Sequence, residues 1–202
     1  QKKVVEHHEC ANMSQGIHSR PFWILMAMGV LGPYFGLLMA NNYKVYGIDK
    51  GHSDYFVTLV GSFGSAANGC SRFFWAVLFD KYGFKKVYFA IMAIQLILTA
   101  TLSSISSVGA LYLIWHALTM GCEGGQFSTL PAVTTKVFGH KVGPLIYGFI
   151  LVMFAVSNIA SFFITKAQLD NWGWPAMFWI SFGLTVLSAL MNLFFNEKYE
   201  FL

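Results

Sequence analysis

Apolar residues come in six long runs separated by short polar stretches. A membrane-spanning helix needs about 20 mostly apolar residues, and each run is close to that length. The pattern predicts helices over Pro21–Tyr43, Tyr55–Phe79, Val87–Leu102, Gly109–Thr135, Pro144–Ile164 and Pro175–Phe195. Strand-like alternation is absent, so the expected fold is an all-α membrane protein with six transmembrane helices in one bundle. Residues 1–20 and 196–202 read as polar tails on either side of a transmembrane unit at 21–195.

Within the runs, small and cyclic residues mark where helices approach or bend. Gly32 and Gly36 in the first run have the spacing that lets helices pack closely, and Pro33 between them predicts a kink. Gly61, Gly64, Ser65, Ala66, Ala67 and Gly69 give the second run a small-residue face. Pro131 predicts a bend late in the fourth run, and Asn158 is a polar residue within the fifth. Trp172 and Trp174 lie in the last loop, as expected at a membrane interface.

Composition supports the same class. The 202 residues are 56% hydrophobic and only 11% charged, against about 25% charged in a soluble domain. The net charge of +4 is spread over short loops rather than gathered in a patch, so no nucleic-acid partner is expected; the partner expected first is the lipid bilayer. Six spans place both termini on one side. That side carries Lys2, Lys3, Arg20, Lys81, Lys85, Lys86, Lys136, Lys141 and Lys198, and the other carries Lys44, Lys50 and Lys166. The excess places the termini in the cytoplasm, or in the matrix if the membrane is the inner mitochondrial one.

The chain begins at Gln1 rather than methionine, which predicts either a removed leader or an upstream start, and residues 1–20 lack the apolar core of a secretory signal. His7-His8-Glu9-Cys10 has no second ligand pair and reads as solvated tail, so neither a metal nor another cofactor is expected. Cys10, Cys70 and Cys122 show no pairing pattern. No phosphate-binding loop, metal-ligand spacing or catalytic triad is visible, and the chain does not read as an enzyme.

The loop after the second run has a more specific pattern: Ala76, then Asp80-Lys81, Gly83 and Lys85-Lys86. It resembles the signature loop of the major facilitator superfamily, which has a glycine where Ala76 stands and often a basic residue where Phe84 stands. A second stretch, Gly121-Cys-Glu-Gly-Gly-Gln-Phe-Ser-Thr-Leu-Pro-Ala132, is followed by Phe138-Gly139, Lys141 and Tyr147-Gly148. With Asn68, Arg72 and Trp75, it is similar to the oxalate:formate antiporter-like and monocarboxylate transporter branch. The match corresponds to the C-terminal six helices of a twelve-helix family.

The resemblance implies transport of small carboxylates by alternating access, with a second six-helix half as partner. It assigns substrate contact to Arg72, and Asn68 stands where monocarboxylate transporters place an aspartate, so their proton-handling pair is not reproduced. The oxalate carrier's lysine in the next-to-last helix corresponds to Phe154, which argues against a dicarboxylate. The resemblance also makes Asp80, Lys81, Gly83, Lys85 and Lys86 a gating loop.

Two acid–base questions remain open in the sequence. Arg72 lies eight residues before Asp80, roughly 12 Å from the helix end, where a charge costs about 2.5 kcal/mol or more. It faces either an anion cavity or a buried acid. Glu123 is also deep, with His116 two turns earlier on nearly the same face; the two form either a proton site, or Glu123 neutralises Arg72. A second functional reading stands beside transport: an accessory subunit derived from a transporter half, within a larger membrane complex such as a respiratory one. The half length, Phe154 and the altered loop at Ala76 and Phe84 favour it.

Overall fold

The computed structural model describes residue 10, residues 12–199 and residue 201, apart from the side chains of Gln168 and Asp170. The His7-His8-Glu9 part of the tail cluster lies outside the described residues. Helix α1 (Met13–Ile17) is a single turn whose start is capped by Asn12, which accepts from the Gln15 amide at 3.0 Å. Helix α2 (Arg20–Leu31) carries Pro21 in its first turn, where the missing N–H costs nothing. Gly32 and Pro33 separate it from α3 (Tyr34–Asp49), because proline cannot donate to the carbonyl one turn back. The kink expected at Pro33 is present.

The break is stitched rather than left open. The Gly32 carbonyl accepts from Gln95 Nε2 at 2.9 Å and from Gln126 Nε2 at 3.3 Å; Gln95 Nε2 also donates to Thr185 Oγ1 at 2.9 Å. Without water, a freed carbonyl needs such partners. Helix α4 (Asp54–Tyr82) starts on Ser53 and ends at Gly83, whose φ of 81° is ready for glycine and strained for other residues. Helix α5 (Phe84–Ile105) follows at once.

Helix α6 (Gly109–Phe194) is 86 residues long and interrupted by non-helical backbone at Gly139 (φ 80°) and Gly173 (φ 67°). These positions divide it into stretches 109–138, 140–172 and 174–194. The loops expected over 136–143 and 166–174 are therefore sharp bends at single glycines, with helix running up to them. Helices α2 to α5 all pack against α6.

No strand occurs among the described residues. Four helical lengths are long and apolar enough to cross a membrane: Arg20–Asp49, Phe84–Ile105, Gly109–Ala167 and Asn171–Phe194. Six were expected. Gly109–Ala167 is one apolar length containing the Gly139 bend, and α4 falls short because glycine, serine, asparagine and Arg72 dilute its apolar residues.

Packing follows the small residues. Glu123 sits against Gly36, His116 against Gly64, and Trp75 against Gly125; at Gly124, Ser71 and the Asn68 backbone come so close that a Cβ would collide with them. Close backbone approach of this kind replaces the hydrophobic drive that lipid does not supply. Large apolar side chains cover the outside, among them Phe73 at 79% exposed.

Candidate functional site

Asn68 and Arg72 are one turn apart on α4 and therefore share a face. Asn68 Nδ2 donates to the Met120 carbonyl at 3.1 Å, and Trp75 Nε1 donates to the Gly121 carbonyl at 3.0 Å. These bonds use spare lone pairs on α6 and fix the rotation of α4. Asn68 Oδ1 then accepts from Arg72 Nη2 at 3.0 Å. The guanidinium lies 5.2 Å above the centroid of Phe127, and Phe127 meets Phe154 edge-on at 4.8 Å. A cation over an aromatic face is held electrostatically by the ring. Arg72 is otherwise exposed, and its charge acts on Glu123 and on Tyr147.

The structure does not bring Arg72 and Glu123 into an ion pair: among the described residues no cation lies within 4.0 Å of Glu123. Glu123 is 5% exposed, packed on Gly36, with no hydrogen-bond donor among the described residues. His116, 2% exposed, lies against the Tyr43 ring at 4.8 Å with the planes tilted by 34°, and its Nδ1 has no partner in the described residues. Glu123 and His116 are thus both buried on the α3- and α4-facing side of α6, but each has separate neighbours. Asn158 accepts from Asn41 Nδ2 at 2.7 Å, bridging α3 and α6.

The loop 80–86 forms the turn from α4 into α5. Asp80 and Lys86 are exposed without a side-chain partner among the described residues, and Lys81 lies over the Tyr82 ring. The acceptor at the start of α5 is Glu197, from the tail. It takes the amide N–H of Lys85 at 2.7 Å, that of Phe84 at 3.2 Å, and the Lys136 ammonium at 3.1 Å. Burial would raise its carboxyl. The Lys85 amide, Lys136 and the Phe84 amide outweigh that and hold it below the usual carboxylate range. Lys85 Nζ donates to the carbonyls of Leu193 and Phe195, and Asn192 Nδ2 returns a bond to the Lys85 carbonyl.

Sequence reasoning missed Glu197 and Asn192. The signal was an asparagine near the end of the last helix, five residues before one of the two acids in a tail that looked merely mixed in charge. It also missed Phe127 as the surface under Arg72. Among the described residues no three His, Cys, Asp or Glu side chains gather into a metal-holding group.

A sequence profile described as Major Facilitator Superfamily matches residues 22–200. The chain belongs to the Major Facilitator Superfamily. It is 27% identical over 183 residues to an oxalate:formate antiporter of Oxalobacter formigenes, covering 89% of this chain and 43% of that protein. It is 26% identical over 175 residues to apicoplast pyruvate carrier 1 of Toxoplasma gondii, covering 84% of this chain and 32% of that protein. The chain thus spans less than half the length of these relatives. Members of this superfamily are membrane transporters, so the apolar exterior of the bundle is a lipid-facing surface, and the resemblance seen in the signature loop and the Gly121–Ala132 stretch is confirmed at family level.

Proposed function

We propose that this chain is one six-helix half of a carrier that moves a small monocarboxylate by alternating access, with Arg72 as the anion contact. The six spans are α2–α3, α4, α5 and the three stretches of α6, and both termini lie on the lysine-rich side, cytoplasmic or matrix. A second six-helix bundle covers the open face that carries Arg72. The carrying observation is the state of Arg72: an exposed guanidinium on α4 with no acid in ion-pair range among the described residues. One of its five N–H donors is engaged by Asn68, leaving a planar fork for a carboxylate. Phe127 and Phe154 form an apolar wall beside it, which suits a ligand with one charge better than one with two. The two relatives named above are, by their names, carriers of small carboxylates.

In this reading Asn68 positions Arg72, and Glu123 with His116 either carries a proton or closes on Arg72 in another conformation. The test is uptake of radiolabelled pyruvate or formate into liposomes, with a partner half supplied. Arg72→Lys keeps the charge and loses the fork. Uptake is expected to fall at least about tenfold while insertion and thermal stability stay near the parent. Unchanged uptake in Arg72→Lys and Arg72→Ala would overturn the anion role.

A further inference from the structure

The 82–85 turn, residues 135–137 with His140, and the tail line a partly open cavity of about 600 Å³ at the lysine-rich end of the bundle. Its walls carry Lys85, Lys136, Lys198 and His140 against one carboxylate, Glu197. Glu197 is already occupied by two amide N–H groups and by Lys136. Lys85 is bonded only to the neutral carbonyls of Leu193 and Phe195, so its charge is placed but not compensated. The side chains of Lys198 and His140 are exposed and meet no acid among the described residues.

Cations on an open surface give diffuse attraction to any anion. Here they line one concave, partly open space, one of them held in place by two carbonyls, and Tyr82 and Tyr199 also line the wall. Basic pockets at the ends of transmembrane helices suit the phosphate of a lipid head group, and the volume accommodates one. We propose that this cavity binds a phosphate group, carried by an acidic phospholipid head group or present as soluble phosphate. Lys198 and His140 supply its free positive face, and Lys85 its fixed one. This site lies away from Arg72 and does not depend on the transport reading.

The experiment uses the full chain purified in mild detergent and incorporated into nanodiscs of phosphatidylglycerol, cardiolipin or phosphatidylcholine. Retained lipid is counted by native mass spectrometry, and thermal stability is followed against added sodium phosphate. Variants are Lys198→Gln, His140→Gln and, outside the cavity, Lys86→Gln; none has a side-chain partner among the described residues, so the fold should survive each change. Acidic lipid should be retained over phosphatidylcholine, and Lys198→Gln should weaken retention about fivefold while Lys86→Gln leaves it near the parent. Stabilisation by sodium phosphate without selective lipid retention, lost in the same variants, assigns the site to soluble phosphate. An equal loss in Lys86→Gln and Lys198→Gln, or no response to either lipid or phosphate, would overturn the proposal.

Discussion

The Glu197 carboxylate accepts the amide N–H of Lys85 at 2.7 Å and so ties the tail to the first turn of α5. A carboxylate at a helix N-terminus satisfies free amides and meets the positive end of the helix dipole. With Lys136 as a third partner, one side chain joins the 82–85 turn, the end of the 109–138 stretch and the tail. Glu197→Gln keeps the size and loses the charge. It should lower stability by about 1–2 kcal/mol, read as a fall in the thermal midpoint in detergent. An unchanged midpoint would mean that the tail is not bound in solution.

The same residue sets an acid sensitivity. Its folded carboxyl is held below its ordinary value, so the unfolded chain binds the proton more readily. The stabilisation is fully present above the unfolded value of about 4.3 and is lost as pH falls through the lower folded value. Thermal midpoints between about pH 6 and pH 3 should therefore drop more steeply in the parent than in Glu197→Gln. Parallel curves would remove Glu197 as the cause.

Asp80 is the contrasting position. It is the acid that the family pattern marks, yet it is exposed without a side-chain partner among the described residues. Asp80→Asn should change the thermal midpoint of this chain by less than about 0.5 kcal/mol equivalent, well below the effect of Glu197→Gln. A larger loss would place Asp80 in a contact that only another bundle or a different conformation provides.

Much of this molecule was legible in its sequence because lipid imposes a simple rule: apolar runs long enough to span, broken by glycine, proline and charge. The kink at Pro33 and the turn at Gly83 follow from those residues alone. The continuity of α6 does not, since helix can run up to Gly139 and Gly173 from both sides when one residue supplies the turn. The site was half legible. Arg72 and Asn68 stand out as polar groups in an apolar helix, but their neighbours depend on the rotation that the Met120 and Gly121 carbonyls impose on α4. Glu197 was invisible for the opposite reason: an acid in a polar tail carries no signal until the fold brings α5 beneath it.

Glycine packing gives a test of the α4–α6 contact. A Cβ at Gly124 would collide with the Asn68 carbonyl and Ser71, whereas Gly148 has open space around it. Gly124→Ala must push backbone apart and should cost about 1–3 kcal/mol. Gly148→Ala should be neutral or stabilise by up to about 1 kcal/mol through helix propensity. Equal effects at the two positions, measured by thermal unfolding in one detergent, would contradict the close approach of α4 to α6.

The relation between Arg72 and Glu123 can be read from a double-mutant cycle. In this conformation Arg72 is held by Asn68 and Phe127, and Glu123 rests on Gly36 with no cation within 4.0 Å. Arg72 and Glu123 share no direct contact, and the longer-range attraction between their charges should couple them by less than about 1 kcal/mol. The stability effects of Arg72→Ala and Glu123→Ala should therefore add in the double variant. A buried ion pair behaves otherwise, because removing one charge strands the other at a cost of about 3–5 kcal/mol, and the double variant recovers it. A coupling energy above about 1 kcal/mol in thermal unfolding would show that the populated state pairs the two residues. Additive stability together with non-additive uptake, measured on the same four proteins in liposomes with a partner half supplied, would place their meeting in a transient step of the transport cycle. That outcome is the one expected if Glu123 approaches Arg72 only when α3 moves away from α6 at Gly36.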